Sequence, residues 1–184
     1  MKHLVAAFLV SGTSLAAECP KAPDHSAAVD KLIARVQEAD NQRTAQEISN
    51  DMWQFWTDAP DEVAQEILDR GMQKRSAWDL LGAREDFDRL VRYCPDYAEG
   101  YNQRAFVNFL QQDFEAALPD LERAIALSPR HVAALSGRAL TLIGLGRGAE
   151  AQDTLAAALE LNPWLPERSL YTPAPVKEAP GEKL

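Results

Sequence analysis

Histidine is scarce in this chain. Of the three, His3 lies near the start, His25 in a short leader, and His131 directly after Pro129-Arg130. None stands in a nucleophile–base spacing with a serine or cysteine, and no HExxH, CxxC or calcium-loop pattern occurs. The residues therefore argue against an enzyme, and they assign no catalytic group, no metal and no cofactor. The run Gly144-Leu145-Gly146-Arg147-Gly148 has the glycine density of a phosphate loop, but it follows a helical segment rather than a strand. Carboxylates such as Asp86, Asp88, Asp120 and Glu122 are spread in the manner of a solvated face. A sharper pattern is Arg70, Arg104 and Arg138, which recur every 34 residues. A column of guanidinium groups suits carboxylate or phosphate ligands. The competing reading pairs each arginine with an acid of its following helix, since Asp86, Asp120 and Asp153 lie fifteen or sixteen residues on. An unpaired buried arginine is costly, which favours the structural role for these six residues.

The same 34-residue period organises the segments that carry them. Arg104-Ala105 falls on Arg138-Ala139, Ala117 on Ala151, Leu121 on Leu155, Ala124 on Ala158 and Pro129 on Pro163. Upstream, the matching places hold Arg70-Gly71, Ala83, Phe87, Leu90 and Pro95. Three units follow, 64–97, 98–131 and 132–165. Gly71, Ala105 and Ala139 allow close helix approach, and Phe87, Leu121 and Leu155 fill the interior. The prolines end each unit. Leu81-Gly82, Gln112-Asp113 and Gly146-Arg147-Gly148 read as the turns inside them. No alternating Val/Ile/Thr-rich run suggests a strand. The expected class is all-α, a superhelix of stacked helical hairpins. Pro119, inside a second helix, predicts a bend or a late start there, and Leu90, in place of a small residue, predicts looser packing in the first unit.

These units resemble the tetratricopeptide repeat. Ala105, Asp113-Phe114, Ala117, Leu121, Ala124 and Pro129 carry the resemblance in the second copy, and Ala139, Gly146, Ala151, Leu155, Ala158 and Pro163 in the third. Gly148 departs from the pattern, standing where Phe114 supplies an aromatic. The resemblance implies that first helices line a concave side which receives an extended peptide or partner helix. By register that side comprises Leu68, Met72 and Arg75, then Glu99, Asn102, Phe106 and Phe109, then Ala133, Ser136, Leu140 and Ile143. The family version that clamps a C-terminal carboxylate carries Lys, Asn and Arg at positions held here by Asn102, Gln103, Phe106, Ser136, Gly137 and Leu140, so that clamp is missing. The expected function is a non-catalytic adaptor or assembly factor with a protein or peptide partner, anchored at Phe106 and Leu140. The alternatives are a holdase for envelope proteins and, further off, a domain hidden in an enzyme.

The flanks complete the reading. Residues 1–17, with Lys2, the apolar run Leu4–Val10 and Ser14-Leu15-Ala16, read as a cleaved export signal, which places the chain in a bacterial periplasm. Export makes Cys19 and Cys94 disulfide candidates. Segment 18–63 reads as a leader and a degenerate helical hairpin capping the N-terminal end, with amphipathic helices over Ser26–Glu38 and Asn41–Thr57. Trp53, Phe55 and Trp56 could serve as a ligand platform, but large aromatics at helical spacing usually pack, which favours the core of that cap. At the other end, Trp164, Leu165, Leu170 and Tyr171 suggest a short closing helix over the last repeat, and 166–184 reads as a C-terminal cap running into a Pro-rich disordered tail from 172. The formal charge of −9 argues against a nucleic-acid partner, which needs a basic footprint. No apolar run reaches the ~18 residues of a membrane span.

Overall fold

The computed structural model describes residues 18–172. The expected signal segment 1–17 and the tail from 173 onward lie outside them. Among the described residues there are eight α-helices and no strand. They are α1 Ser26–Gln37, α2 Gln42–Trp56, α3 Glu62–Ser76, α4 Leu80–Tyr93, α5 Ala98–Leu110, α6 Phe114–Leu127, α7 Val132–Gly144 and α8 Gly148–Leu161, followed by a 3-10 turn at Pro166–Leu170. Helices α3–α8 form three antiparallel hairpins stacked in sequence, and α5 touches both α3 and α7. The first helices of the hairpins thus line one side of a superhelical stack.

Local chemistry sets the helix boundaries. Asp79 and Asp113 accept hydrogen bonds from the backbone N–H of Gly82 and Ala116 and so cap α4 and α6. In each turn the residue before the next N-cap takes the left-handed region: Trp78 at φ 62°, Gln112 at 61° and Gly146 at 72°. Only Gly146 takes that conformation without steric cost. The first turn therefore lies at 77–79, not at Leu81-Gly82 as the glycine suggests; Asp79 takes over the capping, and Gly82 sits inside α4. Helix α6 runs through Pro119 without a late start. Leu90 is fully buried, and Gly100 makes room for it, since a Cβ there would stand 3.3 Å from the leucine.

The arginine ladder pairs within the fold. Arg70 donates to Asp86 and Lys74 joins from the next turn. Arg104 donates to Asp120 at 2.6 and 2.8 Å and to Asp88 at 2.9 Å. The third rung differs from expectation: Arg138 bonds the hydroxyl of Thr154 and approaches Glu122, while Asp153 is exposed. Thr154, not Asp153, holds the register of Asp86 and Asp120.

Cys19 and Cys94 are disulfide-bonded, closing a sequence separation of 75. The leader thereby lies on the first repeat, whose core is partly covered by Cys19 and Ala22. Helices α1 and α2 form their own apolar cluster around Val29, Ile33, Val36, Ala45, Ile48 and Met52, and the residues packed on it include Leu161 and Trp164 from the far end of the stack. Gln37 donates to the Glu160 carbonyl at 2.7 Å, Gln42 to that of Trp164 at 3.2 Å, and Asn162 to Ser49 Oγ at 3.2 Å. At the other end of α2, Trp56 stacks on His131 with ring centroids 4.3 Å apart, and Tyr97 donates to the Trp56 carbonyl. The hairpin is strapped along the inter-repeat turns instead of extending the stack beyond α3.

Candidate functional site

Helix α5 sets Asn102, Phe106 and Phe109 at four- and three-residue steps, which places them on one face. Helix α7 sets Ala133, Ser136, Gly137 and Leu140 opposite. Between them lies a cavity of about 280 Å³, which also reaches Ala105, Leu121 and Thr141. Its remaining wall comes from outside helices α3–α8: Trp53 of α2, then Leu165, Pro166 and Glu167. Its lining is mostly apolar, and Phe106 is 42% exposed.

Six of the eleven residues assigned to the groove by register line this cavity: Asn102, Phe106, Phe109, Ala133, Ser136 and Leu140. Arg75 lies beside it, with its guanidinium carbon 4.7 Å from the Phe106 ring centroid. The other four are elsewhere, with Ile143 exposed outside the cavity. Leu68 is buried in the core of the first repeat, and Met72 packs against the same core. The sequence gives Leu68 the register of Asn102 and Ser136, but an apolar side chain there joins the core that the tethered leader helps to cover. Glu99 is also buried. Its carboxylate accepts from Asn102 at 3.1 Å, Gln103 at 2.5 Å and His131 Nε2 at 2.8 Å. His131 Nδ1 accepts the N–H of Ala134 and caps α7. A backbone N–H only donates, so the imidazole proton sits on Nε2 and points at Glu99. This network positions α5 against α7 and presents no free nucleophile.

The segment 165–167 is the part of the site that sequence reasoning missed. Trp53, for which core packing is favoured from sequence over a ligand platform, lines the cavity. It lies one position off the buried stripe Ala45, Ile48 and Met52, on the face of Ser49, which meets Asn162.

Electrostatics separate the arginines. Hydrogen bonding to Asp120 holds Arg104 well above the ordinary arginine range, against the pull of burial. Arg75 moves the other way: burial lowers it, opposed by the charge of Glu99. Its Nε is buried without an acceptor among the described residues. A second cavity of about 360 Å³ separates the leader and the end of α2 from the inter-repeat turns. It is bordered by the pairs His25–Asp58 and His131–Glu99. Among the described residues no cluster of three or more His, Cys, Asp or Glu has metal-binding geometry, and no helix is long and apolar enough to cross a membrane.

Comparison with known proteins agrees with this architecture. Residues 108–164 match the tetratricopeptide repeat family. A TPR repeat-containing protein of Rhizobium etli is 27% identical over 124 residues, 64% of this chain and 58% of the relative. A tetratricopeptide repeat protein 36 homolog of Nematostella vectensis is 39% identical over 71 residues, 39% of each chain. The chain thus spans less than two thirds of either relative. Among solved structures, the TPR2B domain of yeast Sti1, in a pHsp70 complex, superposes with a TM-score of 0.52 at 28% identity, covering 53% of this chain and 78% of that one. The Arabidopsis OM64 TPR domain superposes with a TM-score of 0.57 at 20% identity, over 59% and 90%. The helical stack is a tetratricopeptide-repeat solenoid.

Proposed function

We propose that this tetratricopeptide-repeat protein is a non-catalytic adaptor or assembly factor that takes a peptide segment of a partner into the cavity between α5 and α7. The observation that carries the reading is the cavity itself: an apolar recess on the inner side of the stack, edged by the partly exposed Phe106. Buried aromatic anchors dominate interface energetics, so Phe106 and Leu140 are the expected hot spots. The yeast Sti1 domain in its pHsp70 complex supplies a precedent on the same fold. The buried acids Asp86, Glu99 and Asp120 and the buried His131 are engaged in pairing and capping, which fits binding better than turnover.

The site of action proposed is the bacterial periplasm. The signal-like residues 1–17 and the Cys19–Cys94 bond support it, because disulfides persist in oxidising compartments. Affinity capture from envelope extract tests the function, comparing wild type, Phe106→Asp, and Leu81→Asp at the exposed start of α4. Loss of a defined partner in Phe106→Asp alone supports an adaptor. Loss of many unfolded clients supports a holdase, and retention of all partners removes the cavity from binding.

A further inference from the structure

Among the described residues Arg75 is the arginine whose side chain keeps a buried nitrogen without an acceptor, and no acidic group pairs with it. Arg70, Arg104 and Arg138 each meet an acid or hydroxyl within the repeats. Arg123, Arg130 and Arg147 pair with Asp96, Asp30 and Glu150. Arg75 instead lies over Phe106, with its Nε buried and unbonded. A guanidinium partly stripped of water, with a buried Nε left unbonded, is costly, and an incoming anion offsets that cost. Its five donors form a planar fork that matches a carboxylate. The ring beneath it also edges the apolar cavity, so cation and recess are adjoining parts of one surface.

We infer that the cavity binds a peptide presenting a carboxylate to Arg75 and an adjacent large apolar side chain to the recess between Phe106, Phe109 and Leu140. The inference rests on the peptide-binding reading above and specifies its ligand. Two features favour this occupant. The recess, at about 280 Å³, is near the small end of ligand pockets, so it holds an anchor and not a long segment. Trp53 and Leu165–Glu167 wall another side, which leaves the flank facing Arg75 for the rest of the ligand. Arg75 sits on α3, apart from the α5 and α7 positions where the family's carboxylate clamp would fall, and those carry no cation here.

The test uses two fluorescein-labelled octapeptide pools, each with a fixed Leu or Phe flanked by Asp in one pool and Asn in the other. Binding to the disulfide-bonded chain is read by fluorescence anisotropy. Wild type is expected to prefer the Asp pool by about ten-fold or more, in line with a charge-assisted hydrogen bond. The preference is expected to shrink with added salt and to vanish in Arg75→Gln, checked as folded by circular dichroism. Leu140→Asp is expected to lose both pools. Equal binding of the two pools, or a preference that survives Arg75→Gln, overturns the inference and leaves the peptide-binding reading intact. Binding of neither pool by folded wild type overturns both. Arg75-dependent binding of dodecanoate with no binding of either pool overturns the peptide as occupant.

Discussion

Gly71 and Phe87 hold the places that Ala105 and Leu121, then Ala139 and Leu155, hold in later repeats. A Cβ on Gly71 would stand 2.5 Å from Phe87 Cε1 and 2.8 Å from Cζ. The ring is fully buried in the first-repeat core, so it has nowhere to retreat. Gly71→Ala gains about 1 kcal/mol of helix propensity and incurs an overpacking cost of about 1–3 kcal/mol. A contact this short against a caged ring puts the cost at the upper end, for a net loss of about 1–2 kcal/mol. Phe87→Leu alone removes ring atoms beside a glycine and leaves a void, costing about 1–2 kcal/mol. The double variant recreates the Ala/Leu pair of the later repeats. It is expected to lose less than the sum of the singles, with a coupling of about 1 kcal/mol or more. Urea unfolding followed by circular dichroism, with the disulfide intact, measures all three. A Gly71→Ala protein at least as stable as wild type, or an additive double variant, would refute the packing argument.

Arg104→Ala leaves Asp120 and Asp88 unpaired, and is expected to cost about 2–4 kcal/mol given Arg104's partial exposure; an unchanged thermal melt counts against it. Burial tends to raise Asp86, but the hydrogen bonds and charges of Arg70 and Lys74 outweigh it and hold the carboxyl below its ordinary 3.8. Its contribution is therefore present above that pH and lost as pH falls through the lower folded value. Acid titration of stability should show a shallower acid limb in Asp86→Asn, and identical limbs would dismiss the pairing. Reducing Cys19–Cys94, which spans 75 residues, is expected to cost about 4–5 kcal/mol by loop entropy, read as a drop in urea midpoint. A midpoint unmoved by reduction would mean the leader is not stapled.

The repeat architecture was legible because each unit reuses the same contact positions. Ala105, Leu121 and Ala124 recur 34 residues on as Ala139, Leu155 and Ala158, which makes the period visible. Helices α1 and α2 were legible from their apolar stripes, and the side chain of Asn41 caps α2. The misses were local. Asp153 drew attention as an acid, yet the register that pairs Arg70 with Asp86 points to Thr154. Gly82 drew attention as a turn glycine, yet the register of Gly146 points to Trp78. The site was half legible: register placed Asn102, Phe106, Phe109, Ser136 and Leu140, but not the wall facing them. An amphipathic stripe says which face of a helix is buried, not against what. Thus the strapping of α1–α2 to Leu161 and Trp164, and with it the place of Trp53, needed the three-dimensional arrangement.

The central claim is that the cavity between α5 and α7 holds another polypeptide. A photocrosslinking amino acid at Phe106, compared with one at the exposed Glu115 of α6, tests it in intact cells. The account predicts a discrete adduct from position 106, absent from 115 and lost when Leu140→Asp is added. Equal labelling from both positions, or only adducts within the chain itself, would contradict it.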